Sequence, residues 1–235
     1  MKIIEFENYD NIIVEFQDEY KYKIKSNYRV FKKGTIKNPY DKEVFNVGYI
    51  GEGKYKSSKN KKDTKEYTVW KNMLQRCYDP YSLNKEPSYI DCYVCEEWLC
   101  FQNFAKWWKK NVYNCNNEKM VLDKDILIKG NKVYSPQTCI IVPQRINGLF
   151  INRSRDRGKL PIGCSYLRGK IQVRCNTIKK SEYLGIFPLN KPFEAFTCYK
   201  NFKENYIKEV ADEYKNLIPQ KLYEAMYKYE VEIND

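Results

Sequence analysis

The chain has 235 residues, 43% of them apolar and 31% charged, which allows one to three small domains with a real core and excludes a disordered chain. Its 42 Lys and Arg against 30 Asp and Glu give a formal net charge of +12, the balance of a protein that meets a polyanion, of which nucleic acid is the commonest. No stretch approaches the roughly 18 consecutive apolar residues of a membrane span, and the first residues lack the apolar run of a secretion signal.

The expectation is a soluble cytoplasmic protein with no membrane partner. Its nine cysteines (77, 92, 95, 100, 115, 139, 164, 175 and 198) would then be reduced thiols. There is no histidine at all, so the side chain best suited to move protons near neutral pH is absent everywhere.

Taken in chain order, residues 1–50 alternate as strands do. Ile12–Phe16 and Tyr20–Ile24 flank a polar turn at Gln17-Asp18-Glu19 and predict a small β-meander. Residues 51–66 are rich in Gly, Lys, Ser and Asn and read as a basic linker or loop. Tyr67, Trp70, Met73, Leu74 and Cys77 fall at helical spacing, and Asp79-Pro80 ends that helix. A second helix is predicted from about Cys95 to Asn111. Its stripe of Trp98, Phe101, Phe104, Ala105 and Trp108 is more simply core than a base-stacking surface.

Residues 120–150 predict a β-hairpin and a helix. The strand regions are Val121–Leu127 and Thr138–Val142, the turn is Lys129–Lys132, and Pro143 sits at the first turn of a helix through Asn147 and Phe150. A basic connector follows at 151–160. Three short strands come next, Gly163–Tyr166, Lys170–Asn176 and Glu182–Phe187. A helix from about Lys191 to Asn216 carries Phe193, Phe196, Tyr199, Phe202, Tyr206, Ile207, Val210 and Tyr214 on one side, and Pro219 opens a last helix. The fold class is α+β: an N-terminal β-meander, a helical and ββα middle, and a C-terminal three-stranded antiparallel sheet packed on a helix.

Two stretches resemble known families. Trp70-x-x-Met73-Leu74-x-Arg76-Cys77-Tyr78, Tyr89 and Val94-Cys95-Glu96-Glu97-Trp98-x-x-Phe101-x-x-Phe104 resemble the helical lead-in of phage homing-endonuclease-like proteins. Leu122-Asp123-Lys124-Asp125-Ile126, with Thr138-Cys139-Ile140-Ile141-Val142-Pro143-Gln144-Arg145-Ile146-Asn147, resembles the ββα-metal core of the His–Asn–His (HNH) nucleases. That resemblance implies a divalent ion, magnesium or manganese. Asn147 matches the last metal ligand, and Asp123 or Asp125 the acidic one. The general-base position falls on Lys124 or Ile126, and Thr138 stands where the family has a structural Asn. Lys124 is the candidate catalytic residue, although flanking carboxylates oppose the lowered pKa a lysine base needs. The rival reading of Asp123 and Asp125 is an exposed acidic pair at a hairpin.

Further on, Gly158-Lys159-Leu160-Pro161-Ile162-Gly163-Cys164-Ser165-Tyr166, Gly169–Arg174, Tyr183-Leu184-Gly185-Ile186-Phe187 and Phe193-Glu194-Ala195-Phe196-x-x-Tyr199 resemble the Apetala-two type DNA-binding domain. It departs in having Ile171 where an aromatic is usual. The implied layout is a β domain at 1–50, a basic linker at 51–66, an HNH-like ββα domain with helical lead-in at 67–152, and an Apetala-two type domain with C-terminal helices at 153–235.

Period-two alternation puts Lys170, Gln172 and Arg174 on one face and Ile171 and Val173 on the other. Arg168, Gln172 and Arg174 are the candidate base readers, while Lys170, Lys179, Lys180 and the run Arg153, Arg155, Arg157 would meet phosphates. A solvated charged face is the bland alternative. Cys92-x-x-Cys95 has zinc-ligand spacing, but a structural site needs two more ligands and no histidine can supply them, so buried apolar thiols are the preferred reading. The expected function is duplex DNA binding on a homing-endonuclease-like scaffold with absent or residual metal-dependent nicking. The rival is a non-enzymatic phage interaction protein, a regulator or an inhibitor of a host defence complex that handles nucleic acid.

Overall fold

Alternation at Ile12 and Val14 sets the face of the first sheet. In the computed structural model, which describes residues 1–151, 159–233 and 235, the strands β1 (Lys2–Asn8), β2 (Asn11–Glu15) and β3 (Lys23–Ser26) pair antiparallel in that order. Ile12 and Val14 are buried with Ile36, and Ile3, Phe16, Ile24, Val30 and Phe31 pack around them. The short helix α1 (Tyr28–Lys32) begins where Asn27 Oδ1 accepts from Val30 N at 2.9 Å.

The third strand starts later than Tyr20. Asp18 Oδ1 accepts from Tyr20 N and Lys21 N at 3.1 Å each, and Lys21 takes a φ of 50°. That side-chain turn diverts the chain from the ladder. Tyr20 then stacks on Tyr40, with ring centroids 4.0 Å apart.

The basic stretch at 51–66 carries a hairpin of its own, β4 (Ser58–Lys59) paired with β5 (Lys62–Asp63). It leads into α2 (Lys65–Tyr78), which buries Trp70, Met73, Leu74 and Cys77. Asp79 closes α2 and caps α3 (Pro80–Lys85), accepting from Ser82 N at 3.1 Å. The helix expected from Cys95 to Asn111 is two: α4 (Glu96–Leu99) and α5 (Phe101–Asn111). Cys100 is extended between them because backbone 49–50 bonds there. Tyr49 N donates to Leu99 O at 3.0 Å, and Phe101 N donates to Tyr49 O at 2.9 Å. The aromatic stripe is core, with Trp98, Phe101 and Phe104 at 0% exposure. Trp70 Nε1 donates to Trp98 O at 2.7 Å, satisfying one buried indole. Residues 1–110 form one compact unit and 111–235 a second.

In the second unit, β6 (Met120–Asp123) pairs antiparallel with β7 (Ile140–Pro143), and α6 (Gln144–Leu149) follows directly. The first strand ends at Asp123 rather than running to Leu127. Asp123 Oδ1 accepts from Asp125 N at 2.8 Å and Ile126 N at 2.7 Å, which turns the chain into a long loop. Pro143 closes β7 and stands just before the helix rather than in its first turn. The strands β8 (Cys164–Leu167), β9 (Lys170–Asn176) and β10 (Ser181–Pro188) form an antiparallel sheet in that order, followed by α7 (Pro192–Tyr214) and α8 (Gln220–Tyr227).

α7 spans 23 residues, a length of roughly 34 Å, and serves two cores. Its N-terminal half buries Ala195, Phe196 and Tyr199 against Ile171, Val173 and Cys175 of the sheet. Its C-terminal half buries Ile207, Val210, Ala211 and Tyr214 with Ile126, Ile140, Val142 and Ile146 of the ββα segment and with Leu222 and Met226 of α8. At about 1.5–3 kcal/mol per fully buried large apolar side chain, this shared helix is a main stabiliser of the unit. Phe193 lies at the exposed start of α7, with 69% of its surface in solvent.

Candidate nucleic-acid interface

The helix packed beneath β8–β10 fixes which side of the sheet faces out. Along β9, Ile171, Val173 and Cys175 are buried, Lys170, Arg174 and Asn176 are exposed, and Gln172 is half-buried. The register then assembles the outer row: Lys170 opposite Leu167 and Pro188, Gln172 opposite Ser165 and Ile186, Arg174 opposite Tyr183. Tyr183 and Ile186 are 53% and 45% exposed. Two cations and an amide thus share a face with an exposed aromatic and an aliphatic side chain. That mixture offers hydrogen bonds to base edges and apolar contact to a thymine methyl.

Turns place further cations at the sheet's rim. Arg168 and Gly169 have φ of 47° and 75°, the signature of a tight type I′ hairpin that carries Arg168 at its tip. Thr177 Oγ1 accepts from Lys179 N at 3.3 Å and Lys180 N at 3.0 Å, holding the next turn, and Ile178 N donates to Tyr206 on α7 at 2.9 Å. Lys180 pairs with Glu182 at 3.3 Å. Among the described residues Arg168, Lys170, Arg174 and Lys179 form no ion pair. Arg153, Arg155 and Arg157 lie outside the described residues.

One glycine is needed to close the sheet on its helix. Gly163 has a φ of 78°, and a Cβ built on it would lie 2.0 Å from the Tyr199 ring. Only a residue without a side chain lets β8 approach α7 so closely.

The loop after β6 collects the other site candidates. Lys124 is buried, and its Nζ donates to both Asp125 carboxylate oxygens at 2.8 Å and to Asn131 O at 2.6 Å. Burial pushes the Asp123 carboxyl above the usual carboxylate range, against the opposing pull of the Ile126 and Asp125 N–H groups. Among the described residues the buried Oδ1 of Asn147, on α6, has no hydrogen-bond partner.

Two side chains pin the loop. Asn131 Nδ2 donates to Lys124 O at 2.9 Å and Val133 O at 2.7 Å, while Asn131 Oδ1 accepts from Val133 N at 3.1 Å. Thr138 Oγ1 donates to Val133 O at 2.7 Å. Thr138 thus helps pin the loop. Asn131 does more of that work and reads in the sequence only as a turn residue.

None of the nine cysteines, all of them among the described residues, forms a disulfide, and seven are buried. Cys92 is buried and Cys95 half-buried, standing at the start of α4 with its thiol pKa raised by burial. Among the described residues no group of three or more Cys, Asp or Glu converges in a way that could hold a metal ion.

Neither a protein family, nor a curated protein, nor a solved structure matches the chain. No helix among the described residues is long and apolar enough to cross a membrane.

Proposed function

We propose that the protein binds duplex DNA through the outer face of β8–β10. The observation that carries this is the row Lys170–Gln172–Arg174 on the solvent side of a sheet whose other side is sealed by α7. A twisted antiparallel sheet fits the major groove, where Arg bonds guanine and Gln bonds adenine bidentately. Arg168 at the hairpin tip joins these base readers, while Lys170, Lys179 and Lys180 meet phosphates beside them. The resemblance to Apetala-two type domains agrees with this use of the sheet.

Metal-assisted cleavage is no part of this reading. Asp125 already holds an ammonium on both oxygens, so magnesium or manganese there would meet the Lys124 cation. One Asp123 oxygen is engaged by two backbone N–H groups, and Asn147 adds a single buried oxygen that no described residue bonds. In this reading Lys124, which donates to three acceptors, serves as an internal counter-ion rather than as a base. No histidine stands in for it.

Fluorescence anisotropy with a randomised set of labelled duplexes tests the proposal. Arg174→Ala and Gln172→Ala should each weaken the preferred duplex by about 1–3 kcal/mol and flatten preference among sequences. Wild-type protein that binds no duplex at low salt sinks the DNA reading. Plasmid nicking in magnesium or manganese that Asp123→Ala abolishes would instead restore the cleavage that the Lys124 geometry argues against.

A further inference from the structure

The hairpin β4–β5 in the first unit is built around unneutralised charge. Between residues 54 and 65 there are six lysines (54, 56, 59, 61, 62 and 65) and one acid, Asp63. All six lysines are exposed, and among the described residues none forms an ion pair. Lys59 and Lys62 are direct cross-strand partners, an arrangement that like charges oppose. At the tip, Asn60 and Lys61 have φ of 53° and 59°. That two-residue type I′ turn favours Gly in second place, yet a lysine occupies it in a left-handed conformation. Twice, then, the segment holds a lysine where local stability asks for something else.

The base of the hairpin is fixed. Buried Gln102 of α5 accepts from Tyr55 N at 3.0 Å and donates to Tyr55 O at 2.8 Å. Thr64 N donates to Ser57 O at 2.9 Å, and Thr64 Oγ1 donates to Lys56 O at 3.1 Å. A rigid mount of this kind lowers the conformational entropy lost when the lysines engage a partner. The β4–β5 segment itself consists of Ser, Lys, Asn and Asp, with no apolar side chain to insert into a lipid interface.

We propose that the β4–β5 hairpin is a second nucleic-acid contact, gripping the phosphate backbone of a duplex without reading its sequence. It rests on the DNA reading above and adds to it a contact made by the other unit. The lysines carry no planar fork for base edges, and repulsion between Lys59 and Lys62 is relieved when phosphates lie against them.

The test uses the full chain and a labelled 24-base-pair duplex titrated at several salt concentrations. The variant is Lys59→Gln/Lys61→Gly/Lys62→Gln, with Lys61→Gly alone as a companion. Relieving the turn and the like-charge pair should leave melting temperature unchanged or raised, which excludes misfolding as the cause of lost binding. The triple variant should lose about ten-fold or more in affinity near 0.1 M salt, for every duplex sequence alike, and its slope of log K against log salt should shrink by up to about 3. Lys61→Gly alone should shrink the slope by about 1. Wild-type slope retained by the triple variant overturns the hairpin contact while leaving the sheet reading intact. Arg174→Ala without effect, beside a hairpin variant that weakens, overturns the sheet reading and keeps the hairpin. Binding to vesicles rich in phosphatidylserine that the triple variant loses, with DNA affinity unchanged, assigns the lysines to a membrane and overturns the proposal.

Discussion

Val133 O is the point from which the loop after β6 is held, and a double-mutant cycle on its two donors tests that directly. It accepts from Asn131 Nδ2 and from Thr138 Oγ1, each at 2.7 Å. Asn131→Ala removes three hydrogen bonds. At about 0.5–1.5 kcal/mol each, and with the site only half-buried, the expected cost is roughly 1.5–3 kcal/mol. Thr138→Val keeps the shape and removes the bonds to Val133 O and to Ser135 Oγ, for about 1–2 kcal/mol. After either change Val133 O keeps one of these two side-chain donors; after both it keeps neither. The double variant should therefore exceed the sum of the singles by about 0.5–1 kcal/mol. Urea unfolding followed by far-UV circular dichroism is the assay, because all four tryptophans (70, 98, 107 and 108) lie in the first unit and none in the second. Additivity within about 0.3 kcal/mol, or an Asn131→Ala cost below about 0.5 kcal/mol, would refute the shared-acceptor argument.

Gly163→Ala places a methyl against the Tyr199 ring at a positive φ, so about 2–4 kcal/mol of stability and much of the DNA affinity should go; an unchanged melting temperature contradicts the close approach of β8 to α7. Burial holds the pKa of Lys203 below its ordinary 10.5, with Cys175 beside it pulling the other way. Above that lowered pKa the folded state binds fewer protons than the unfolded, so this lysine makes stability rise with pH up to about 10.5. Lys203→Met should be more stable at pH 7 by about 1 kcal/mol and lack that rise, measured by urea midpoints between pH 6 and 10. A variant with the wild-type pH profile refutes the lysine's part. Gln102→Ala frees Tyr55, so trypsin should cut within 54–62 faster than in wild type; equal rates would show that the hairpin mount lies elsewhere.

Legibility in the sequence followed how local each cause was. β9 matches its expected span, Lys170–Asn176, because strict alternation between buried and solvent positions needs no distant partner. The α2 stop at Asp79-Pro80 and the turn at Arg168-Gly169 are equally local. The break at Cys100 was not legible, since residues 49 and 50 impose it from fifty positions away. Asn131 was read as part of a turn, its bonds to Lys124 and Val133 carrying no spacing signal. Lys124 was weighed as a base, and only the fold shows its ammonium clasped by Asp125 and Asn131 O.

Composition and periodicity by themselves determined a basic α+β chain, a sheet with a cationic outer row, and a middle without any imidazole. Those properties belong to residue types and short repeats, which act wherever the chain goes. The tertiary structure alone decided that one long helix would underlie both the sheet and the ββα segment. It alone turned a lysine-rich stretch into a mounted hairpin. Such outcomes depend on which distant surfaces meet, and burial, charge pairing and hydrogen-bond satisfaction are settled only at that meeting.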